Sequence, residues 1–252
     1  MKKLAFISGV IALSAASQAA VLYSTGFEAA DGFSVGAING QSGWTTFVAA
    51  QNAPVISTAN PNGGSQHLRL PDSAVSNGTL SGGFTPLFAD GGADEVTSSI
   101  DIFVPSADAG GANYSFVGQN TAESLLLFRV EFDFLGTFLV VDDIGAGLEF
   151  VDTGFAVQYN AYHTLSVVTN FTAGTQTYKW DGTTFYTGTN AGLATGIDQV
   201  VVFSDSWQNA NVVGGDVDNL SVVAADAVPE PASMIAIGLG IAGLAARRRK
   251  NA

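Results

Sequence analysis

The chain has 252 residues, with 22 Asp or Glu against nine Lys or Arg, 30 glycines, 12% charged side chains and no cysteine. All 22 acids lie between Glu28 and Glu230 with only three bases among them, Arg69, Arg129 and Lys179, so this body carries a formal −19. It repels phosphate, which argues against nucleic acid as a partner. The absence of cysteine removes disulfide frameworks, thiolate metal sites and thiol nucleophiles, and two histidines, His67 and His163, are too few for a multi-histidine centre.

Residues 1–20 begin with Met1-Lys2-Lys3, continue through an apolar stretch from Leu4 to Ala15 and end on the small residues Ser17 and Ala19. This is the layout of a cleavable signal peptide. The apolar run is shorter than the roughly 20 residues of a membrane span. It therefore predicts a signal helix, export through the Sec translocon and removal by signal peptidase.

Residues 21–226 show no 3.6-residue amphipathic stretch of helical length. Period-two or wholly apolar runs recur at 98–104, 125–134, 137–141, 164–168, 175–180 and 199–203. Turn punctuation falls between them at Asn62-Gly63-Gly64, Gly82-Gly83, Asp90-Gly91-Gly92, Gly110-Gly111, Asp181-Gly182 and Gly214-Gly215. The pattern predicts one all-β domain, an antiparallel β-sandwich or jelly roll. Asp181-Gly182, set between Tyr178-Lys179-Trp180 and Thr183-Thr184-Phe185-Tyr186, predicts a hairpin with a tight type I′ turn.

That hairpin and its upstream context, Tyr159-Asn160-Ala161-Tyr162-His163 and Thr172-Ala173-Gly174-Thr175, resemble the concanavalin A-like or laminin-G-like sandwich. The opening Thr25-Gly26-Phe27-Glu28 with Gly40-Gln41-Ser42-Gly43-Trp44, and the closing Gly215-Asp216-Val217-Asp218-Asn219-Leu220, fit the same resemblance. It implies that the first and last strands pair, and that an early Glu shares a cation with a late Asp. Glu28 and Asp218 are the candidate ligands of a structural Ca²⁺, with Asp31 and Asp216 beside them. The same carboxylates also read as ordinary solvated turn residues, and no other cofactor is expected.

The sandwich family includes glucanases, which need two carboxyls flanking the scissile bond. Glu131-Phe132-Asp133-Phe134-Leu135 is similar to the Glu-x-Asp-x-Glu strand of laminarinase-like glycosidases, but its third acidic place holds Leu135, so a proton donor is missing. No catalytic residue is therefore assigned. Trp44, Trp180 and Trp207 are candidate sugar-stacking rings, with packing in the core as the competing reading. His163 reads as a hydrogen-bonded strand residue, since no nucleophile-elbow serine accompanies it.

Residues 227–252 contain Val228-Pro229-Glu230-Pro231, an apolar helix at 233–246 and a basic tail at 247–250 that includes Arg247, Arg248 and Arg249. The prolines stop any helix from running in from the body. The arginines would hold the far end of a short transmembrane helix on the cytoplasmic side. In composition and order the segment resembles the PEP-CTERM sorting signal, also known as the ice-binding protein C-terminal domain. The resemblance implies recognition by an exosortase, a transient inner-membrane intermediate held through 233–246, and delivery to the cell surface, outer membrane or extracellular space. The chain is thus expected to be an exported, non-catalytic surface or matrix protein that contacts exopolysaccharide. The alternative is a concanavalin A-like polysaccharide hydrolase or lyase.

Overall fold

The computed structural model describes residues 19–47, 53–70, 80–105, 113–145, 147–189, 194–205 and 214–225. The expected signal helix, transmembrane helix and Trp207 lie outside the described residues. Among those described, no helix is long and apolar enough to cross a membrane. Among the described residues the helical pieces are single 3₁₀ turns at Ala29–Asp31 and Gln41–Gly43.

The strands are β1 (Ala20–Thr25), β2 (Gly36–Ala37), β3 (Thr45–Thr46), β4 (Val55–Ser57), β5 (His67–Arg69), β6 (Leu80–Phe84), β7 (Glu95–Phe103) and β8 (Asn113–Asn120). They continue with β9 (Leu125–Phe132), β10 (Thr137–Asp143), β11 (Leu148–Ala156), β12 (Tyr162–Asn170), β13 (Thr175–Trp180), β14 (Thr183–Gly188), β15 (Gln199–Asp205) and β16 (Asp216–Ala225). A nine-stranded sheet runs β14-β13-β12-β7-β16-β5-β4-β2, with β1 also paired to β16, and a seven-stranded sheet runs β11-β10-β9-β8-β15-β6-β3. The described pairings are antiparallel, and the first strand pairs with the last, Ala20 opposite Ala224 and Thr25 opposite Leu220.

Alternation drives the assembly. Along β7 every second residue, from Val96 through Ser98, Ile100 and Ile102, is buried. On the facing sheet, Phe116, Val130, Phe132, Phe138, Val140, Val200 and Val202 enter the same core. Successive strand residues point to opposite faces, so each sheet supplies one apolar layer and the two layers close on each other. An aromatic cluster joins them: Phe138 packs on Phe132, Phe155, Trp180 and Phe185, with ring centroids 4.8–6.0 Å apart.

The predicted hairpin is present. Trp180 pairs with Thr183, and Asp181 and Gly182 have φ of 48° and 78°, the two left-handed positions of a type I′ turn. Gly82-Gly83 is a correction, because the pair lies inside β6 instead of forming a turn. A Cβ at Gly83 would lie 2.9 Å from the Trp44 ring, and one at Gly82 would lie 2.2 Å from Phe203 Cβ. The glycines admit these rings against the backbone from opposite faces of the strand.

The aromatic cluster identifies the most sensitive core position. Phe138→Ala, at a side chain with no exposure, is expected to cost about 3–5 kcal/mol in urea unfolding. Phe138→Leu should cost less than half as much.

Candidate functional site

The acids near the two ends of the body converge on one loop. Glu28 Oε1 accepts from the backbone N–H groups of Ser65 (2.7 Å) and Gln66 (2.9 Å), and Oε2 accepts from Ser65 Oγ (2.8 Å). From β16, Asp218 Oδ2 accepts from the N–H groups of Asn62 (2.9 Å) and Gly63 (3.2 Å), while Oδ1 accepts from that of Asn219 (2.8 Å). Gly64 has φ of +59°, and a Cβ there would fall 2.2 Å from Glu28 Oε1. The sequence therefore needs glycine where the clasp closes.

Calcium takes six to eight oxygen ligands. Here the carboxylate oxygens of Glu28 and Asp218 face N–H and O–H donors, and Asp31 Oδ2 likewise accepts from Thr25 Oγ1 (3.2 Å) and the Gly26 N–H (2.9 Å). Among the described residues no three His, Asp or Glu side chains group as metal ligands. The geometry does bring Glu28 and Asp218 to the same loop, but as a hydrogen-bonded clasp, and this arrangement does not fit a Ca²⁺ cage.

Beside the clasp, Asp216 is buried and accepts from Arg69 (2.9 Å) and Asn60 (2.8 Å), with His67 Nε2 at 3.1 Å. Burial alone would raise the Asp216 pKa, but these hydrogen bonds from His67, Asn60 and Arg69 hold it below the usual carboxylate range. The Gln66 and Ser65 N–H groups do the same for half-buried Glu28, whereas burial raises Asp218. Tyr162 completes the network by donating to the Asn60 carbonyl at 2.5 Å.

The tryptophan reading needs correction. Trp44 is 0% exposed and Trp180 2% exposed, so neither ring offers a face to a sugar. Trp44 packs on Phe27 and donates to Tyr23 Oη at 2.7 Å, and Trp180 belongs to the Phe132–Phe138 cluster. His163 stacks on Trp180 with Nδ1 2.7 Å from Asp181 Oδ2, a placement that fixes the strand end.

Glu131 lies on the face of the seven-stranded sheet turned away from the core. It accepts from Arg129 Nη2 (2.5 Å) and Asn113 Nδ2 (2.8 Å), and Asn113 in turn accepts from the Phe134 N–H (3.1 Å). Asp133 falls past the end of β9 in the turn before β10, where its backbone bonds to Thr137 and Gly136, and burial raises its pKa. The third place, Leu135, is 76% exposed. One acid is thus held in an ion pair and the other sits in a turn. Sequence reasoning missed Arg129 and Asn113, although Arg129 stood out as one of three bases in so acidic a body.

Residues 227–250 match the PEP-CTERM protein-sorting motif. The chain carries an exosortase sorting signal. PEP-CTERM proteins are exported and sorted to the cell surface. No curated protein matches the sequence. Among solved structures, the body is similar to a carbohydrate esterase from Shiga toxin-encoding bacteriophage phi24B, with 14% identity, TM-score 0.53, and coverage of 83% of this chain and 100% of that one. It is also similar to a non-specific endo-β-1,3(4)-glucanase of glycoside hydrolase family 16, with 10% identity, TM-score 0.53, and coverage of 82% and 91%. A sialidase matches at 12% identity and TM-score 0.52 over 72% of this chain, which spans 17% of the sialidase's length. At these identities the likeness is one of fold, the concanavalin A-like sandwich.

The depressed carboxyls set the acid limb of stability. A carboxyl whose folded pKa lies below its unfolded value stabilises above the unfolded value, about 3.9 for Asp, and loses that contribution as pH falls through the folded value. Stability against urea should therefore fall below about pH 4 as Asp216 and Glu28 protonate, and Asp216→Asn should flatten that limb. At neutral pH, Asp216→Ala should cost on the order of 3 kcal/mol by removing the buried acceptor of the hydrogen bonds from Asn60, Arg69 and His67.

Proposed function

We propose that this chain is an exported, non-catalytic cell-surface or matrix protein whose sandwich binds or adheres to exopolysaccharide. The observation that carries the reading is the sorting motif at 227–250, which directs the sandwich to the outside of the cell. The non-catalytic part is supported by what holds the acids. Glu131 is tied to Arg129 and Asn113, Asp133 lies in a turn, and Glu28, Asp216 and Asp218 fix one loop. Export begins with the signal peptide at 1–20, continues through an inner-membrane intermediate at 233–246, and ends with exosortase processing near Pro229-Glu230-Pro231.

Intact-mass measurement on protein recovered from its cells tests the sorting half. The mass is expected to lack both the leader and the apolar segment, and retention of residues 234–246 would overturn processing. The non-catalytic half is tested by incubating the full chain with β-glucans. No release of reducing ends is expected, whereas hydrolysis abolished by Glu131→Gln would install the hydrolase in its place.

A further inference from the structure

The two chain exits of the sandwich lie side by side. Ala20, the first residue of β1, is paired with Ala224, and Ala225, the last residue of β16, is paired with Glu95, the first of β7. Paired Cα atoms of antiparallel strands are about 4.5–5.5 Å apart, so the leader and the sorting segment leave the body next to each other. The same end of the molecule gathers the 85–94 connection, the turns at 121–124 and 171–174, and the segment 194–198. Hydrogen bonds knit these pieces into one rim. The N–H groups of Phe88 and Phe171 donate to the carbonyls of Asp198 (2.9 Å) and Asp94 (2.8 Å), and those of Ile197 and Thr195 to the carboxylates of Asp90 (2.8 Å) and Glu123 (2.9 Å).

Sequence distance then limits where this rim sits. Val228-Pro229-Glu230-Pro231 follows Ala225 after only Asp226 and Ala227, and the apolar stretch begins at residue 233. A chain spans at most about 3.3–3.6 Å per residue, so Pro229 is no more than about 14 Å from Ala225, and the start of the apolar stretch no more than about 29 Å. The nine-residue strand β7 is itself about 30 Å long. The body therefore cannot stand off from the membrane segment by more than its own length, and the cleavage site near Pro229 is closer still. An enzyme that cuts there works against the rim.

The charge of the rim selects what it meets. Asp94 and Glu123 are exposed there, with Asp90, Glu95 and Asp198 half-buried beside them. The three bases of the body are elsewhere: Arg69 is paired with Asp216 and Lys179 with Thr184, toward the opposite ends of their strands, and Arg129 lies within β9 in its ion pair with Glu131. Leu87, in the 85–94 connection, adds an apolar side chain that is 64% exposed. An acidic surface is repelled by anionic lipid headgroups and steered toward a basic protein face. We infer that this rim is the surface through which the membrane-held precursor docks on its processing enzyme, meeting a basic, outward-facing patch of that enzyme, with Asp94 and Glu123 as the steering charges. The inference rests on the exosortase reading above and adds the face of the sandwich that takes part. The leader, while uncut, holds the same rim toward the membrane, because β1 starts there.

The test follows conversion of precursor to mature chain by pulse-chase in the cells that make the protein. Asp94→Lys and Glu123→Lys together are expected to slow conversion about tenfold, the lower end of what electrostatic steering supplies. A second chain carries the same two substitutions and a Gly/Ser spacer of about 20 residues between Ala225 and Asp226, whose mean span is roughly 25 Å. The spacer lets the rim stand clear of the enzyme, so this chain should convert at the wild-type rate, which also shows that the slow conversion is not misfolding. Wild-type conversion of the substituted chain with its native linker would overturn the docking surface. Equal slowing with and without the spacer would do the same. Faster conversion of the substituted rim would show attraction to anionic lipid and overturn the choice of partner. If the unaltered chain is never converted, the sorting reading fails and takes this inference with it, a result distinct from the other three.

Discussion

The molecule is organised around its last strand. β16 is hydrogen-bonded along one edge to β7 and along the other to β5 and then β1, so it joins segments about 110 to 200 residues apart in sequence. Its first residue, Asp216, is a buried carboxylate bonded to both side chains that flank Leu68 on β5, His67 and Arg69. Without disulfides or long helices among the described residues, this strand and its buried acid keep the early segments of the chain in register with the late ones. The clasp of Glu28 and Asp218 on the neighbouring loop depends on the same pairing, since Glu28 follows β1 and Asp218 belongs to β16.

The acidity has a structural use that its sign alone does not reveal. With few bases to pair with, the carboxylates find N–H and O–H donors. Asp142 accepts from Tyr186 and Thr189, Asp90 from Gly92 and Ile197, and Asp198 from Thr121, each tying a loop or strand end in place. Carboxylates hydrogen-bonded to backbone N–H groups form strong, charge-assisted contacts. Residue type and spacing do not show which donors a fold will bring to these acids, so this use is not legible in the sequence.

Much of the sandwich was legible. The runs at 125–134, 137–141, 175–180 and 199–203 fall on β9, β10, β13 and β15, because each is a period-two or wholly apolar run with a marked boundary. β11 left no such trace, since as an edge strand most of its residues are exposed and its apolar residues do not alternate cleanly. β6 was hidden by Gly82-Gly83, where the glycines make room for rings from other strands. The site was less legible for the same reason. Tryptophans suggest sugar platforms by their chemistry, yet Trp44 and Trp180 were taken up by the core, and among the described residues the exposed rings are Phe47 and Phe150, which nothing in the local sequence distinguishes. The stacking of Arg129 on Phe150 and Phe203 requires β11 and β15 to lie two strands away on either side of β9, a fact of topology absent from any window of sequence.

The β1–β16 pair also determines how the molecule would bear load. Tension arriving through the segment after Ala225 enters a strand bonded along both edges, so several neighbours share it. Tension on the chain before Ala20 reaches β1, whose one described partner is β16, and can open those bonds one after another. The two ends of the body thus differ in mechanical strength, and the stronger one is where the sorting segment joins.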